Sequence, residues 1–375
     1  MEILNEFCSH SGQRVNFQKS KMFISPNVPQ REATNLSRIC GMVTTKDLGT
    51  YLGVPLIHGR VRKNHFNHII NKMQRKLSGW KASVLSLAGR ATLVQAVTSS
   101  IPTYTMQTMK FPMSVCKHID KINSNFLWGK NGDKNKIHLV KWRMVCKPKK
   151  FGGLGLRDCE TNNKANLTKL GWRVLKEKDP LWVNILKSKY RIPPNPRNWK
   201  KNKSGSHIWR GIRDSKDHLV ESIKWTVGNG TTISVWEDWW CGNLSFKSKF
   251  GDIGSVDYNI KVDCFINNMG EWDVAKINNE MPHECVGDFL STPLSISNVS
   301  EKRDAPSWGL NGNGRFTVGS CYMQLLERKN VINNTEPNWA WIWKLKLPAK
   351  IIHFIWLVKL DRIICNEMCV RRGIT

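Results

Sequence analysis

Acidic residues are scarce in this chain. Its 375 residues include 58 lysines and arginines but only 29 aspartates and glutamates, which gives a formal net charge of +29. No acidic residue occurs at positions 48–119, where basic residues are frequent. An ordinary solvated surface mixes both signs of charge, so a long basic stretch without acids is typical of phosphate contact. The composition predicts a nucleic-acid partner, and a merely soluble basic face is the alternative interpretation.

Signals for export and membrane insertion are missing as well. The first residues lack the basic and apolar segments of a signal peptide, and no apolar run approaches the roughly 20 residues of a membrane span. The eleven cysteines are odd in number and scattered, a pattern typical of reduced thiols inside a cell. We therefore expect an intracellular protein without a membrane partner. The Lys-rich tetrad at 147–150 resembles a nuclear-import cluster, although such tetrads are common in basic proteins.

Motifs of several kinds of catalysis are absent. There is no phosphate-binding P-loop, no nucleophile elbow, no His-Glu-x-x-His helix and no pair of adjacent aspartates. Two-metal phosphoryl transfer therefore lacks an obvious carboxylate cluster. Cys365 and Cys369, with His353 upstream, form one loose pair, whereas a structural zinc site takes four ligands. We expect no metal and no other cofactor to be held by this chain alone.

The apolar pattern between residues 63 and 129 predicts three helices. In the first, one face is apolar and the opposite face carries Lys72, Arg75 and Lys76. The apolar positions of that helix are Phe66, Ile69, Ile70, Met73 and Leu77. Ser86 and Ser114 are candidates for the N-caps of the second and third helices. The basic face of the first helix is either only solvated or laid against a nucleic-acid backbone.

The rest of the chain predicts a mixture of helices and short strands. Strand pieces at 15–17 and 22–24, a helix at 30–39 and a strand or hairpin element at 51–56 are expected first. Further helices are expected at 162–177 and 180–190, a linker at 192–206 and an Asn-Gly hairpin at 225–236. We expect the tryptophans near this hairpin to pack in the core and not to stack on bases. The predicted fold class is α+β and mainly helical.

An ordered series of motifs resembles plant LINE-type (non-LTR) retrotransposon reverse transcriptases over nearly the whole chain. The motifs are Ser11–Lys21, Asp47–Leu56, Leu77–Lys81, Leu85–Arg90, Ser100–Tyr104, Asn125–Gly129 and Gly152–Leu156. Later segments resemble the reverse transcriptase zinc-binding domain of such polyproteins. These segments are Phe316–Val318, Tyr322, Trp343–Lys344, Pro348–Ile351, His353–Trp356 and Arg371–Ile374.

The resemblance implies roles for some residues. Asn16 and Lys19 match a motif that supplies a lysine near the incoming triphosphate, and Tyr51, Leu52 and Gly53 match the primer grip, which seats the growing 3′ end. The helices that follow resemble a thumb, which holds the template–primer duplex by its backbone. As phosphate contacts in this thumb-like region we expect Lys72, Arg75, Lys76, Lys81 and Arg90.

The resemblance also implies a division into five parts. Residues 1–60 correspond to the end of the palm, 61–130 to the thumb-like region and 131–206 to a basic helical connector with a linker. Residues 207–310 form a Trp-rich β-hairpin region, and 311–375 form the start of the zinc-binding domain.

Several parts of the family pattern fall outside the chain. The catalytic Tyr-x-Asp-Asp loop is expected upstream of Met1, and the zinc-binding Cys and His are expected beyond Thr375. We therefore expect a truncated fragment that is no polymerase on its own and that keeps sequence-independent binding of RNA–DNA or DNA duplexes. The alternatives are an inactive, pseudogene-like relic without a stable function and a module adopted for protein interaction.

Overall fold

The computed structural model describes residues 1–57, 59–79, 84–129, 137–200, 205–251, 257–294, 303–329, 331–332 and 337–366. About half of the chain is helical and the sheets are small, in agreement with the predicted mainly helical α+β class.

Most of the helices are short, and the longest of the described residues is the 18-residue α8. In the described residues they are α1 (Glu2–Ser11), α2 (Gln30–Cys40), α3 (Asn67–Ser78), α4 (Leu87–Leu93), α5 (Thr103–Met106), α6 (Met113–Leu127), α7 (Trp142–Val145), α8 (Cys159–Lys176), α9 (Leu181–Tyr190), α10 (His207–Arg213), α11 (Lys216–Ser222), α12 (Phe246–Phe250), α13 (Val274–Glu280), α14 (His283–Leu290), α15 (Val318–Arg328) and α16 (Ala349–Lys359).

The strands of the described residues form three two-stranded sheets. The strands are β1 (Lys21–Phe23), β2 (Val43–Thr45), β3 (Thr50–Tyr51), β4 (Val54–Pro55), β5 (Ile223–Thr226) and β6 (Ala305–Trp308). β1 pairs with β2 in parallel, whereas β3 with β4 and β5 with β6 are antiparallel. Since a parallel pair needs a crossover connection, α2 lies between β1 and β2 in the chain.

The chain divides into two compact units, Met1–Lys72 and Met73–Thr375, with the boundary inside α3. The first unit contains both small N-terminal sheets and α2, which ends at Gly41 in the left-handed conformation. This agrees with the predicted helix at 30–39. The predicted strand at 15–17 is wrong, because these residues form no strand. Helix α1 has no counterpart among the predicted elements.

Helix α8 is the central helix of the second unit. It contacts α5, α6, α10, α11 and α15, and most of its residues are buried. The buried Asn163 of α8 is satisfied by backbone groups: its side chain accepts from Phe111 N at 2.8 Å and donates to Met109 O at 2.9 Å. A buried polar side chain of this kind is tolerated because its hydrogen bonds are made. Asn163 thereby joins α8 to the end of the segment that precedes α6.

The tryptophans near residue 225 pack in the core, as predicted. Trp199, Trp225, Trp236 and Trp240 are each at most 4% exposed. The ring of Trp240 packs edge-on against Phe289, with 4.6 Å between centroids. Indole N–H groups find backbone partners there, for example Trp240 Nε1 with Val235 O at 2.9 Å.

The predicted linker at 192–206 is wrong in its described part. Asn195 is 3% exposed, and its amide donates to the Asp238 carboxylate at 2.8 Å. Trp199 is 1% exposed and packs on Trp209, with 5.5 Å between ring centroids. Proline and asparagine here shape a 3₁₀ turn at Pro196–Asn198 that docks on the core. Residues 201–204 lie outside the described residues.

The predicted hairpin at 225–236 is also wrong. β5 pairs with β6, from Ile223 opposite Trp308 to Thr226 opposite Ala305, so its partner comes from about 80 residues downstream. The Asn229-Gly230 turn is held by the Asp304 carboxylate, which accepts from Gly228 N and Gly230 N at 2.8 Å each. A close approach of Gly230 to the backbone of Asp263 explains the glycine, because a Cβ would lie 2.5 Å from Asp263 N.

The predictions for 63–127 largely agree with the structure. Phe66, Ile69, Ile70 and Met73 are buried as expected. Ser86 caps α4 by accepting from Gly89 N at 3.2 Å. One detail is wrong: α6 begins at Met113 after Pro112, so Ser114 lies inside the helix and does not cap it.

The basic, Gly-rich segment 147–155 packs against the Trp-rich C-terminal helices. Trp356 Nε1 donates to Gly152 O at 2.9 Å, and Trp343 Nε1 donates to Lys149 O at 3.1 Å. The backbone N–H of Trp339 donates to Lys150 O at 2.9 Å. Because Lys147 is buried, the tetrad 147–150 is not an extended basic peptide, and this weakens its interpretation as a nuclear-import signal.

All ten cysteines among the described residues are free thiols, and six of them are buried. Within the same part of the chain, no helix combines the length and the apolar character that crossing a bilayer requires.

Candidate nucleic-acid interface

Three basic side chains share the solvent face of α3. Lys72, Arg75 and Lys76 are exposed and follow one another at intervals of three and one residues, whereas Ile69, Ile70 and Met73 on the other side are buried. Helical periodicity alone produces this separation. We call Lys72, Arg75 and Lys76 the α3 basic face.

The α3 basic face carries positive charge without acidic partners. Within the described parts of the chain, no carboxylate lies within 4.0 Å of these three side chains, although ion pairs such as Lys110–Asp214 at 2.7 Å occur elsewhere. Arg75 and Lys76 lie in the last turn of α3, where positive charge also complements the helix dipole. The helix dipole is thus a structural reason for the charges of Arg75 and Lys76. It does not remove their charged groups from water.

The other two expected phosphate contacts differ from the α3 basic face. Arg90 lies on α4 and is half-buried, and its Nε is buried without a hydrogen-bond partner among the described residues. This burial lowers the pKa of Arg90. Lys81 lies outside the described residues. The structure therefore brings three of the five side chains together on one helix face.

Asn16 and Lys19 lie in a tight turn before β1. The Asn16 side chain accepts a hydrogen bond from Lys19 N at 3.1 Å, and Asn16 O accepts one from Ser20 N at 2.9 Å. An asparagine that closes a turn on its own backbone gives the Asn-x-x-Lys spacing a local structural cause. Both side chains are exposed, so the turn presents Lys19 to solvent.

Tyr51, Leu52 and Gly53 form the tip of the β3–β4 hairpin, as the predicted hairpin element requires. Leu52 and Gly53 both have positive φ, 49° and 77°, which is the geometry of a tight two-residue hairpin turn. The Tyr51 and Leu52 side chains are 66% and 73% exposed. A leucine held in the left-handed region costs about 1 kcal/mol or more, so this tip maintains an unfavourable backbone conformation while displaying two apolar side chains.

Candidate metal ligands do not come together. Among the residues that the structure describes, no group of three His, Cys, Asp or Glu side chains could hold a metal ion. His353 is half-buried against Trp343, and its Nδ1 lies 2.8 Å from Ala349 O. Cys365 is exposed, and Cys369 lies outside the described residues together with Arg371–Ile374.

Two plant proteins resemble the chain. It is 33% identical over 330 residues to "Putative ribonuclease H protein At1g65750" of Arabidopsis thaliana, a match that covers 86% of this chain and 52% of that protein. It is 30% identical over 142 residues to "Uncharacterized mitochondrial protein AtMg00310" of the same plant, a match that covers 38% of this chain and 92% of that protein. The chain belongs to the family of the AtMg00310 protein. A scan against models of protein families gives no match.

The chain spans about half the length of the ribonuclease H-named relative. The two matches support the coarser part of the predicted resemblance, a relation to plant retroelement-like proteins. The LINE-type reverse transcriptase assignment, the five-part division and the palm and thumb labels stay predictions.

Proposed function

We propose that this chain is derived from a LINE-type reverse transcriptase and binds nucleic-acid duplexes, RNA–DNA hybrids among them, through the α3 basic face. The observation that carries the proposal is three exposed cations on one helix face that have no carboxylate partner in the described parts of the chain. They lie in the stretch of residues 48–119 that contains no acid. The match to a plant protein named for ribonuclease H adds support from a different source.

The proposed binding is sequence-independent. Lysine and arginine that contact phosphates release condensed counterions, and each phosphate neutralised contributes a slope of about −0.9 to log Kobs against log salt on B-DNA. Such contacts orient a protein on a duplex and read no base edge. We propose that Lys19 and the hairpin tip formed by Tyr51, Leu52 and Gly53 contribute in the family's manner, as a lysine near a phosphate and as a seat for a strand end.

We propose that these residues bind and do not polymerise. Two-metal nucleotide addition requires a cluster of carboxylates, and no two aspartates are adjacent in the sequence. In the described residues no three potential metal ligands converge. Polymerase activity would therefore depend on a carboxylate cluster other than any that the described residues bring together.

The test is the salt dependence of binding to a labelled RNA–DNA hybrid, with DNA duplex as a second probe. The variant Lys72→Gln/Arg75→Gln/Lys76→Gln removes three charges from the α3 basic face. We expect weaker binding of both duplexes and a slope that is less steep by about 2.7, which is three phosphate contacts.

The matched control is Lys189→Gln/Lys344→Gln/Lys346→Gln, which removes three charges from exposed lysines of the second unit. It should change the slope much less than the α3 variant. A flat salt dependence of the unmodified chain, or equal losses in the two variants, would refute the proposal. A circular dichroism melt of each sample separates loss of binding from loss of folding, and a chain without a cooperative melt would support the inactive relic.

A further inference from the structure

A second group of cations lines a cavity in the second unit, away from α3 in the sequence. The cavity has a volume of about 640 Å³ and lies beside the C-terminal end of α8, α9, the segment 192–194 and the turn at 229–232. Its basic lining residues are Lys176, Lys178, Lys187 and Arg303, and its acidic lining residue is Asp304. We call this space the α8–α9 cavity.

The carboxylate of Asp304 is hydrogen-bonded to the turn at residues 228–232. Its Oδ1 accepts from Gly228 N and Gly230 N at 2.8 Å each, and its Oδ2 accepts from Thr232 N at 2.9 Å and Thr232 Oγ1 at 2.7 Å. Four hydrogen bonds occupy the acceptor sites of a carboxylate, so Asp304 is held on the turn. Its one negative charge against four cations leaves the lining of the cavity with a formal charge of +3.

The cations of the cavity have no other acidic partner. In the part of the chain that the structure describes, no carboxylate lies within 4.0 Å of Lys176, Lys178, Lys187 or Arg303. Glu177, which is close in sequence, pairs with Arg173 at 2.7 Å. Burial, and then the nearby charge of Lys178, lower the pKa of Lys187.

Helix capping accounts for only one of these charges. The C-terminus of an α-helix carries about −0.5 of an elementary charge, which attracts a cation. Lys187 meets that need at the end of α8, since its Nζ donates to Glu177 O at 3.0 Å. Lys176, Lys178 and Arg303 remain as additional positive charge around the same space.

Another cavity of the second unit, whose basic and acidic lining residues are equal in number, serves as a comparison. It has a volume of about 780 Å³ and is lined by four basic and four acidic residues. Within it Glu237 pairs with Arg197 at 3.2 Å and with Lys247 at 3.7 Å, and Arg328 pairs with Glu221. Since those charges cancel within the protein, that cavity has no excess charge to neutralise, unlike the α8–α9 cavity.

We propose that the α8–α9 cavity binds phosphate groups, either of a free nucleotide or of a single-stranded nucleic-acid backbone. Lysine and arginine supply charge-assisted donors, and the Asn184 amide in the lining adds a neutral one. This site does not depend on the α3 basic face, so either proposal can fail while the other holds.

The test combines titration calorimetry with lysine footprinting, using pyrophosphate as one probe and an oligothymidylate as the other. A bound probe should protect Lys178 and Lys187 from an amine-reactive reagent and leave Lys189 reactive. The variant Lys176→Gln/Lys178→Gln changes two exposed lining residues and should weaken probe binding about tenfold. The control Lys189→Gln/Lys346→Gln removes the same charge elsewhere, and we expect little change.

The outcomes distinguish the sources of the phosphate. Protection by pyrophosphate assigns the cavity to free phosphate-bearing ligands, and protection by the oligonucleotide alone assigns it to a nucleic-acid backbone. The α3 variant should retain binding of pyrophosphate in the cavity. Absence of protection by both probes, or equal weakening by the cavity variant and its control while circular dichroism melts stay unchanged, would overturn the proposal.

Discussion

At the residue scale, the carboxyl of Asp120 on α6 has a strongly raised pKa. It is half-buried, and its Oδ1 accepts from Cys159 N at the start of α8, at 3.1 Å. Burial and the charge of Asp158 raise the pKa of Asp120 to about 8. A carboxyl that keeps its proton at neutral pH is therefore built into the contact between two helices of the second unit.

The variant Asp120→Asn should raise the free energy of unfolding, and by more at alkaline than at acidic pH. The unfolded carboxyl has a pKa near 4, so between about pH 4 and 8 the native state binds the extra proton and stability falls as pH rises. The asparagine keeps an acceptor for Cys159 N and removes the titration. Urea denaturation at pH 5 and pH 9 measures the effect, which should reach at least about 1 kcal/mol at pH 9.

The exposed carboxyl of Glu280 on α13 provides the control. Glu280→Gln should leave the pH dependence of unfolding unchanged. If the pH dependence of the Asp120→Asn variant matched that of the unmodified chain, Asp120 would not titrate in this range.

Trp199 tests whether the segment 192–200 belongs to the core. Because its side chain is 1% exposed, Trp199→Ala should lower the free energy of unfolding by about 3–5 kcal/mol. Trp341, which is 50% exposed, is the matched control, and Trp341→Ala should cost about 1 kcal/mol or less. Equal and small losses in chemical denaturation would mean that this segment is a linker after all.

At the scale of elements, glycine allows the 147–155 segment to turn back on itself. A Cβ at Gly153 would lie 1.9 Å from Lys147 O, and Leu154 N donates to Val145 O at 2.9 Å. Backbone lies against backbone there, so no side chain can rotate away to make room. The same segment accepts the C-terminal tryptophans, so its geometry affects two regions of the second unit.

The substitution Gly153→Ala should therefore destabilise the chain by about 2–3 kcal/mol. Gly287 on α14 is the control, because a Cβ there meets nothing within 4 Å and α14 is a regular helix. Gly287→Ala should stabilise by about 0.5–1 kcal/mol, since alanine restricts the unfolded chain and favours helix. Thermal melts should show a lower melting temperature for Gly153→Ala and a higher one for Gly287→Ala. An unchanged melting temperature of Gly153→Ala would contradict the close approach of the two backbone segments.

Elements differ in how far local sequence determines them. α3 and its basic face follow from a repeat of 3.6 residues, which is a property of neighbouring residues. The Asn229-Gly230 turn after β5 is an equally clear local signal and predicts a hairpin, yet the strand that pairs with β5 is β6. The turn residues fix the local bend, while burial and Asp304 decide which strand completes the pair.

At the scale of the whole molecule, the charge is distributed unevenly along the chain. Residues 1–150 carry a formal charge of +19, residues 151–225 carry +10, residues 226–310 carry −6 and residues 311–375 carry +6. Like charges of this number repel one another in the folded state, and a polyanion would relieve that repulsion. Added salt should therefore stabilise the folded chain and weaken its binding to nucleic acid.

Raising sodium chloride from about 0.02 to 0.2 M should raise the melting temperature of the chain alone by a few degrees, because screening weakens the repulsion between its positive charges. Over the same range, affinity for the RNA–DNA hybrid should fall. The two series can be measured on one preparation by circular dichroism and by fluorescence anisotropy. A melting temperature that falls with salt would contradict the net repulsion.

The sequence by itself determined the mainly helical class, the α3 helix with its basic face, the burial of the tryptophans and the excess of positive charge. These properties depend on composition or on residues within one or two turns of each other. Only the tertiary structure decided the β5–β6 pairing, the docking of 192–200, the raised pKa of Asp120 and the α8–α9 cavity. Each of these depends on groups that come from distant parts of the chain. Lys176 and Arg303 of the cavity, for example, are about 127 residues apart. No pattern of neighbouring residues encodes a contact over such a distance.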